Sequence, residues 1–203
     1  MSRITRILDR IDMSTILSQH LTTFYHYEKR KFHQKRKIPF SDKLLFLILP
    51  MFFAIVLCLL GLSFDKDYVN ISLTCLSIFI GLLFGLLTMV FSMVQENQKI
   101  EIEKIPSEEK RRGIARIDLT QHLFINIGFS ISLSLLALIV ILLTQLHPVV
   151  LIEYINCWKY YDYLKNGYLY ATNGVSFFLL IEFLLTLMMI MRRFTILFLT
   201  QIS

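Results

Sequence analysis

The feature that most constrains this chain is a set of four apolar runs, each close to the length that a helix needs to cross a bilayer. They are Leu44–Leu62, Ile71–Val94, Leu123–Thr144 and Val175–Met191. A hydrocarbon core of ~30 Å requires about 20 helical residues, and it offers the backbone no hydrogen-bond partners, so each run is expected to be helical. The runs contain no Lys or Arg and a single carboxylate, that of Glu182. The sequence therefore predicts an all-α integral membrane protein with four transmembrane helices.

Composition narrows the functional classes. A mean hydropathy of +0.60 and 55% hydrophobic residues are typical of a polytopic protein, and the four runs leave too little of the chain for a catalytic domain of ordinary size. The sequence contains no glycine-rich phosphate loop, GxSxG or HExxH motif. Its three cysteines form no CxxC pair, and its five histidines are scattered. We therefore predict a protein that is not an enzyme, with no catalytic residue, no cofactor and no metal site.

The distribution of Lys and Arg predicts the orientation. Residues 1–43 carry ten of these bases and residues 95–121 carry six, whereas residues 146–172 carry two and the turn after the first run carries one, Lys66. The C-terminal tail begins with Arg192 and Arg193. Because positively charged loops stay in the cytoplasm, we expect both termini on the cytoplasmic side of a bacterial inner membrane.

This orientation divides the chain into six segments. They are a basic amphipathic cytoplasmic segment (1–43), a transmembrane hairpin (44–94), a cytoplasmic helical loop (95–121), span three (122–145), an outer interfacial aromatic segment (146–172), and span four with a cytoplasmic tail (173–203). Pro50 is expected to kink the first span, Ser107 to begin a helix after Pro106, and Gly167 to form a turn into span four. The aromatic segment contains Trp158 and six tyrosines, which prefer the headgroup region.

Small residues on span two predict a packing surface. Gly81 and Gly85 form a GxxxG motif, and Ser77 lies one turn earlier on the same face. Such residues let helix backbones approach closely in lipid. The pattern does not distinguish packing within a subunit from packing between subunits of a homo-oligomer.

Polar residues inside the spans are the candidates for a pore or for interhelical hydrogen bonds. Asn126, Ser130 and Ser134 repeat every four residues along span three. Glu182 lies near the middle of span four, where a charge costs on the order of a few kcal/mol. Its carboxyl group is either a protonated, hydrogen-bonded link between helices or a hydrated group in an oligomeric pore.

The basic N-terminal segment has three interpretations. Its bases are interleaved with aromatic residues and form two clusters beside the first span: Lys29, Arg30, Lys31, Lys35, Arg36 and Lys37. They fit a clamp on anionic membrane lipid or a helical docking surface. They also fit a polyanion site for short single-stranded DNA or a nucleotide signal. Lys and Arg would contact the phosphates, and the nucleobases would stack on the aromatic rings.

Three stretches carry a family resemblance: Lys37–Asp42 before the first span, Ser77–Gly85 in the second, and Phe177–Arg193 in the fourth. Together they resemble small four-span membrane effectors of bacterial anti-phage defence, those of the Hailong system above all. The resemblance implies an oligomeric ion channel with an operon-encoded nucleotidyltransferase partner, which makes short DNA oligomers that hold the channel shut. It also implies that loss of these oligomers opens the channel, and that the N-terminal bases contact DNA. Gating by cyclic nucleotides is the related alternative.

The sequence therefore supports two hypotheses of different classes. In the first, the chain forms a homo-oligomeric pore that permeabilises the inner membrane during abortive infection, and a nucleotide or oligonucleotide ligand gates it. In the second, it is a non-conducting membrane anchor or assembly subunit that recruits a soluble partner through its basic segment.

Overall fold

A computed structural model of the chain describes residues 13–23, 44–98, 107–145 and 161–202. All regular structure within these ranges is helical, which confirms the all-α class. The elements are α1 (Met13–Thr22), a π-helical stretch (Leu44–Ile48) that leads into α2 (Leu49–Leu59), α3 (Lys66–Gln98), α4 (Ser107–Thr144) and α5 (Tyr161–Ile202).

Three of these helices are long and apolar enough to cross a membrane, and they indicate a membrane protein. Their candidate spans are Lys66–Gln95, Ile117–Thr144 and Asn166–Leu199. The first predicted span corresponds to a shorter apolar helix, Leu44–Leu59. At ~1.5 Å per residue this helix is about 24 Å long, less than the ~30 Å hydrocarbon thickness. The described residues thus contain three helices of full spanning length, and the fourth predicted span stays a prediction.

The hydrogen-bond pattern of the first apolar helix changes beside Pro50. The helix is π-helical from Leu44 to Ile48 and α-helical from Leu49 onward, and Pro50 is buried in the first turn of α2. Proline has no backbone N–H and disturbs the preceding turn. The stretch directly before the proline is therefore π-helical, and the kink expected at Pro50 stays a prediction.

A glycine ends α2 in a Schellman motif. The N–H of Gly61 bonds to the carbonyl of Cys58 at 3.0 Å, and the N–H of Leu62 bonds to that of Leu57 at 3.2 Å. Gly61 has a φ of 75°, which glycine adopts without the penalty that a Cβ imposes. The motif reverses the chain tightly toward α3.

The beginning of α3 is capped by Asp65. Its carboxylate accepts a hydrogen bond from the N–H of Tyr68 at 2.9 Å, and its carbonyl accepts the first helical bond, from the N–H of Val69. This is N-cap geometry, which satisfies an otherwise unpaired donor of the first turn. An aspartate directly before a helical run is a recognisable cap signal in the sequence.

The predicted boundaries of the last two helices have different outcomes. Helix α4 begins at Ser107, as expected. The expected turn at Gly167 is wrong, because α5 runs without interruption from Tyr161 to Ile202. A lone glycine inside a helix costs only about 1 kcal/mol, so it does not end a helix that is otherwise well supported. Most of the predicted aromatic segment, including Trp158, lies outside the described residues.

The chain divides into two compact units. One contains the α1 region with residues 82–132 and 186–203, and the other contains residues 44–81 and 133–185. The core of the first unit includes Val90, Ile127 and Leu197, all fully buried. In the second unit, Ile141 is fully buried and Phe183 meets Phe79 edge to face, with ring centroids 5.7 Å apart.

The three long helices are covered to different extents. Half of the most apolar stretch of α4 is buried by the rest of the chain, compared with a third for α5 and 17% for α3. Helix α4 is therefore the most enclosed of the three, and α3 leaves most of its apolar surface uncovered.

Candidate functional site

A buried histidine joins the last turn of α1 to α4. His20 is 1% exposed, and its Nδ1 lies 3.0 Å from the Oδ1 of Asn126. An amide oxygen only accepts hydrogen bonds, so in this arrangement Nδ1 carries the proton and donates it. The imidazole also stacks on Phe129, with ring centroids 3.8 Å apart and an angle of 13° between the planes. Asn126 and Phe129 thus hold the ring by its polar edge and by its face.

Thr23 adds a second contact to the same amide. Its Oγ1 lies 2.8 Å from the Oδ1 of Asn126 and 2.7 Å from the carbonyl oxygen of His20. A hydroxyl group has one proton to donate, so these two acceptors share it. Thr23 is also buried. The end of α1 therefore meets Asn126 through two side chains.

Arg193 of α5 completes the cluster. Its Nη2 donates to the backbone carbonyl of Thr23, directly after the end of α1. Carbonyl groups at a helix C-terminus lack helical partners and carry partial negative charge, so a cation is favourable there. The sequence predicted Arg193 as a marker of the cytoplasmic boundary, and the structure adds this contact with α1. We call His20, Thr23, Asn126 and Arg193 the polar cluster.

The surroundings of His20 keep its imidazole neutral. Burial lowers the pKa of His20 from 6.5 to about 4, the hydrogen bond with Asn126 opposes this shift, and the charge of Arg193 reinforces it. Desolvation penalises the charged form of a buried histidine. At neutral pH the polar cluster therefore holds one charge, on Arg193, beside an uncharged ring.

The polar face of α4 is buried with hydrogen-bonding capacity unused. Asn126 and Ser130 lie one turn apart, and both are fully buried. The Nδ2 of Asn126 and the Oγ of Ser130 have no hydrogen-bond partner among the described residues. A buried polar atom without a partner costs on the order of 1–3 kcal/mol. Among the described residues, these two atoms therefore have hydrogen-bonding capacity that is not used.

The other two candidate polar residues belong to the second unit and are also buried. Ser134 is fully buried, and Glu182 is 7% exposed. The structure thus places all four candidate pore or interhelical residues inside the single chain. It brings Asn126 together with His20 and Thr23, which no pattern in the sequence marked as site residues. Their signal was weak, since a histidine or a threonine in an amphipathic segment has many ordinary roles.

The small-residue stripe has a different environment. Ser77, Gly81 and Gly85 are exposed, and a Cβ added at either glycine would meet no atom within 4 Å. The Oγ of Ser77 donates to the carbonyl of Leu73 in its own helix, at 2.7 Å. The stripe makes no close helix contact within the described chain, and packing between subunits stays a prediction.

The candidate polyanion-binding bases from Lys29 to Lys37 lie outside the described residues. Helix α1 ends shortly before them. The polar cluster therefore holds the chain just ahead of the basic segment.

A second polar arrangement fixes the turn between α2 and α3. The N–H of Phe64 donates to the Oδ1 of Asn173 at 3.2 Å, and its carbonyl accepts from the Nε2 of Gln145 at 3.2 Å. The ring of Phe64 lies against Phe177, with centroids 4.7 Å apart. A partly open cavity of about 480 Å³ adjoins this turn, and Lys66 is among its lining residues. The contacts fix the turn, and the cavity has no distinctive chemistry.

The fold and these sites define a helical membrane protein with a polar cluster at the end of its N-terminal helix. No family model matches the sequence, and neither a curated protein nor a solved structure is significantly similar to it.

Proposed function

We propose that this chain is the subunit of a homo-oligomeric channel that permeabilises the bacterial inner membrane as an effector of anti-phage defence. The observation that carries the proposal is the uncovered surface of α3. Only 17% of its most apolar stretch is buried within the chain, and large side chains such as Leu82 and Phe84 are more than half exposed. The open glycines Gly81 and Gly85 lie on this helix and suit close contact with a second copy.

A conducting path requires several subunits. Asn126 and Ser130 are fully buried inside one chain, so a single closed copy offers them no contact with water. In the proposed assembly, the α4 helices of several subunits surround the conducting path. When the subunits rearrange, the polar face of α4 comes into contact with water. The unused hydrogen-bonding groups on this face support such a role, because water would satisfy them.

The proposed ligand is a short single-stranded DNA or a nucleotide signal bound by the bases from Lys29 to Lys37. The alternation of bases with aromatic rings supports this assignment, as does the resemblance to defence effectors. An operon-encoded nucleotidyltransferase is the proposed source of the ligand. Four membrane crossings with both termini in the cytoplasm complete the proposal, and the asymmetry of Lys and Arg supports them.

The test is ion flux through the purified protein in liposomes that contain a fluorescent ion indicator. We expect flux that changes when a short oligodeoxynucleotide is added, with a steep salt dependence of its binding due to counterion release. A variant with Lys29, Arg30, Lys35 and Arg36 replaced by Gln should conduct but lose the response. Absence of flux in every condition would contradict the channel, and a response unchanged in the variant would contradict the ligand site.

The second candidate function is a non-conducting anchor for a soluble partner. The complete burial of Asn126 and Ser130 in one chain favours it, because ordinary interhelical packing hides polar groups in the same way. Under this alternative the protein conducts no ions in liposomes at any protein-to-lipid ratio. Deletion of its basic segment then releases the soluble partner from the membrane.

A further inference from the structure

We infer that α1 is an autoinhibitory latch, which holds the proposed pore closed while the polar cluster is intact. The inference rests on the proposed channel function. Its basis is the convergence of Asn126, Phe129 and Arg193 on the end of α1.

Among its described side chains, helix α1 is most deeply buried at its C-terminal end. Its described part is Met13–Thr22. Leu17 and Leu21 are 46% and 38% exposed, whereas His20 and Thr23 are 1% exposed. The buried end of α1 therefore docks through polar contacts and a ring stack.

The docked helix covers a polar group of a spanning helix. Asn126 is in the candidate span Ile117–Thr144, and its side chain contacts His20 in α1 and Thr23 directly after α1. Release of α1 exposes this amide, and the Nδ2 that has no partner among the described residues gains access to water. The amide of Asn126 thus contacts His20 and Thr23 in the docked state and water in the released state, which gives a switch with two discrete arrangements.

The latch lies where a signal would reach it. The carbonyl of Thr23 contacts Arg193 of α5, and the chain continues from Thr23 into the basic segment. The polar cluster therefore directly precedes, in the sequence, the segment that is proposed to bind the ligand.

The experiment pairs a measurement of α1 docking with ion flux in the full-length protein, with Cys58, Cys75 and Cys157 replaced by Ser. Spin labels at the exposed positions Gln19 and Gln121 report the distance between α1 and α4. Two releasing variants are compared, Thr23→Val and Asn126→Leu. The matched controls are Thr195→Val and Ser132→Ala, whose hydroxyls bond only to carbonyls of their own helices, those of Met191 and Gly128.

We expect the releasing variants to broaden the label distance and to raise basal flux by roughly tenfold, the effect of about one lost hydrogen bond. The controls should match the parent in both measurements. Broadened distances with unchanged flux, in a parent that conducts, would overturn the latch and leave the channel standing. Unchanged distances would also overturn it. A parent and variants that all fail to conduct while α1 docks normally would overturn the channel, and the latch with it.

Discussion

The Nδ1 of His20 and the Oδ1 of Asn126 lie 3.0 Å apart and buried, although 106 positions separate the two residues in the sequence. This contact ties a short N-terminal helix to a helix long enough to span a membrane. It gives Asn126 a partner outside its own helix, and it places a titratable group beside a polar face that the sequence predicted from spacing alone.

The first prediction separates the two contacts of the His20 ring. His20→Phe keeps an aromatic ring for stacking on Phe129 but removes the donor to Asn126. We expect docking of α1 to weaken by about 1 kcal/mol, since a hydrogen bond contributes 0.5–1.5 kcal/mol. Amide hydrogen exchange of α1 measures this change. Leu17→Ala is the control, because Leu17 is 46% exposed. Equal protection in His20→Phe and the wild type would contradict a role for the bond.

Docking of α1 should also depend on pH. The pKa of His20 is about 4 in the docked state and 6.5 for an ordinary histidine. Between these values the released state binds more protons, so docking is strongest above pH 6.5 and weakens as the pH falls toward 4. The full effect is on the order of 3 kcal/mol, since one pKa unit corresponds to about 1.4 kcal/mol.

Spin-label distances between α1 and α4 across this pH range would measure the loss. Arg193 is the charged group that contacts this end of α1, and it keeps its charge throughout. The pH dependence should vanish in His20→Phe. A dependence that persists in this variant would assign it to another group.

The spacing of polar residues predicted part of this site. The rest could not be predicted, for physical reasons that differ from residue to residue. Asn126 and Ser130 were predictable because a polar group inside an apolar run is costly and must face other protein or water. His20 and Thr23 were not, because pairing over more than 100 positions leaves no local pattern. The helical class and three spanning helices followed from apolar run length. The turn expected at Gly167 was wrong because composition alone does not distinguish a glycine tolerated inside a helix from a glycine in a turn.

The exposed stripe on α3 gives a test of assembly. Gly81→Ile and Gly85→Ile add bulk where a Cβ meets no atom within 4 Å, so each subunit should fold normally. If a second copy packs there, the branched side chains force the helices apart and the oligomer dissociates. Chemical cross-linking in membranes measures this, with Leu82→Ile as the control because Leu82 is 64% exposed. Wild-type cross-linking in both glycine variants would place the stripe against lipid.

The turn between α2 and α3 should depend on one amide. Asn173→Leu removes the acceptor for the N–H of Phe64 and leaves this donor buried, which costs about 1–3 kcal/mol. We expect a lower midpoint of thermal unfolding in detergent. Thr172→Val is the control, because the Thr172 hydroxyl bonds only to carbonyls of its own helix. Similar midpoints for the two variants would show that the turn does not need Asn173.

The last prediction concerns Glu182, which is 7% exposed in the middle of a helix that can cross a membrane. Glu182→Gln preserves shape and hydrogen bonding but removes any charge, whereas Glu182→Leu removes both. If the carboxyl is a protonated link between helices, Gln should assemble and conduct normally and Leu should assemble poorly, because a buried partner loses its bond. If it is ionised and hydrated in the open pore, Gln should assemble normally but change ion preference.

Cross-linking and reversal potentials in bilayers separate these outcomes for Glu182. We expect the result for a protonated link between helices, because the carboxyl group is enclosed within a single chain. Unchanged assembly and unchanged currents in both variants would exclude both roles.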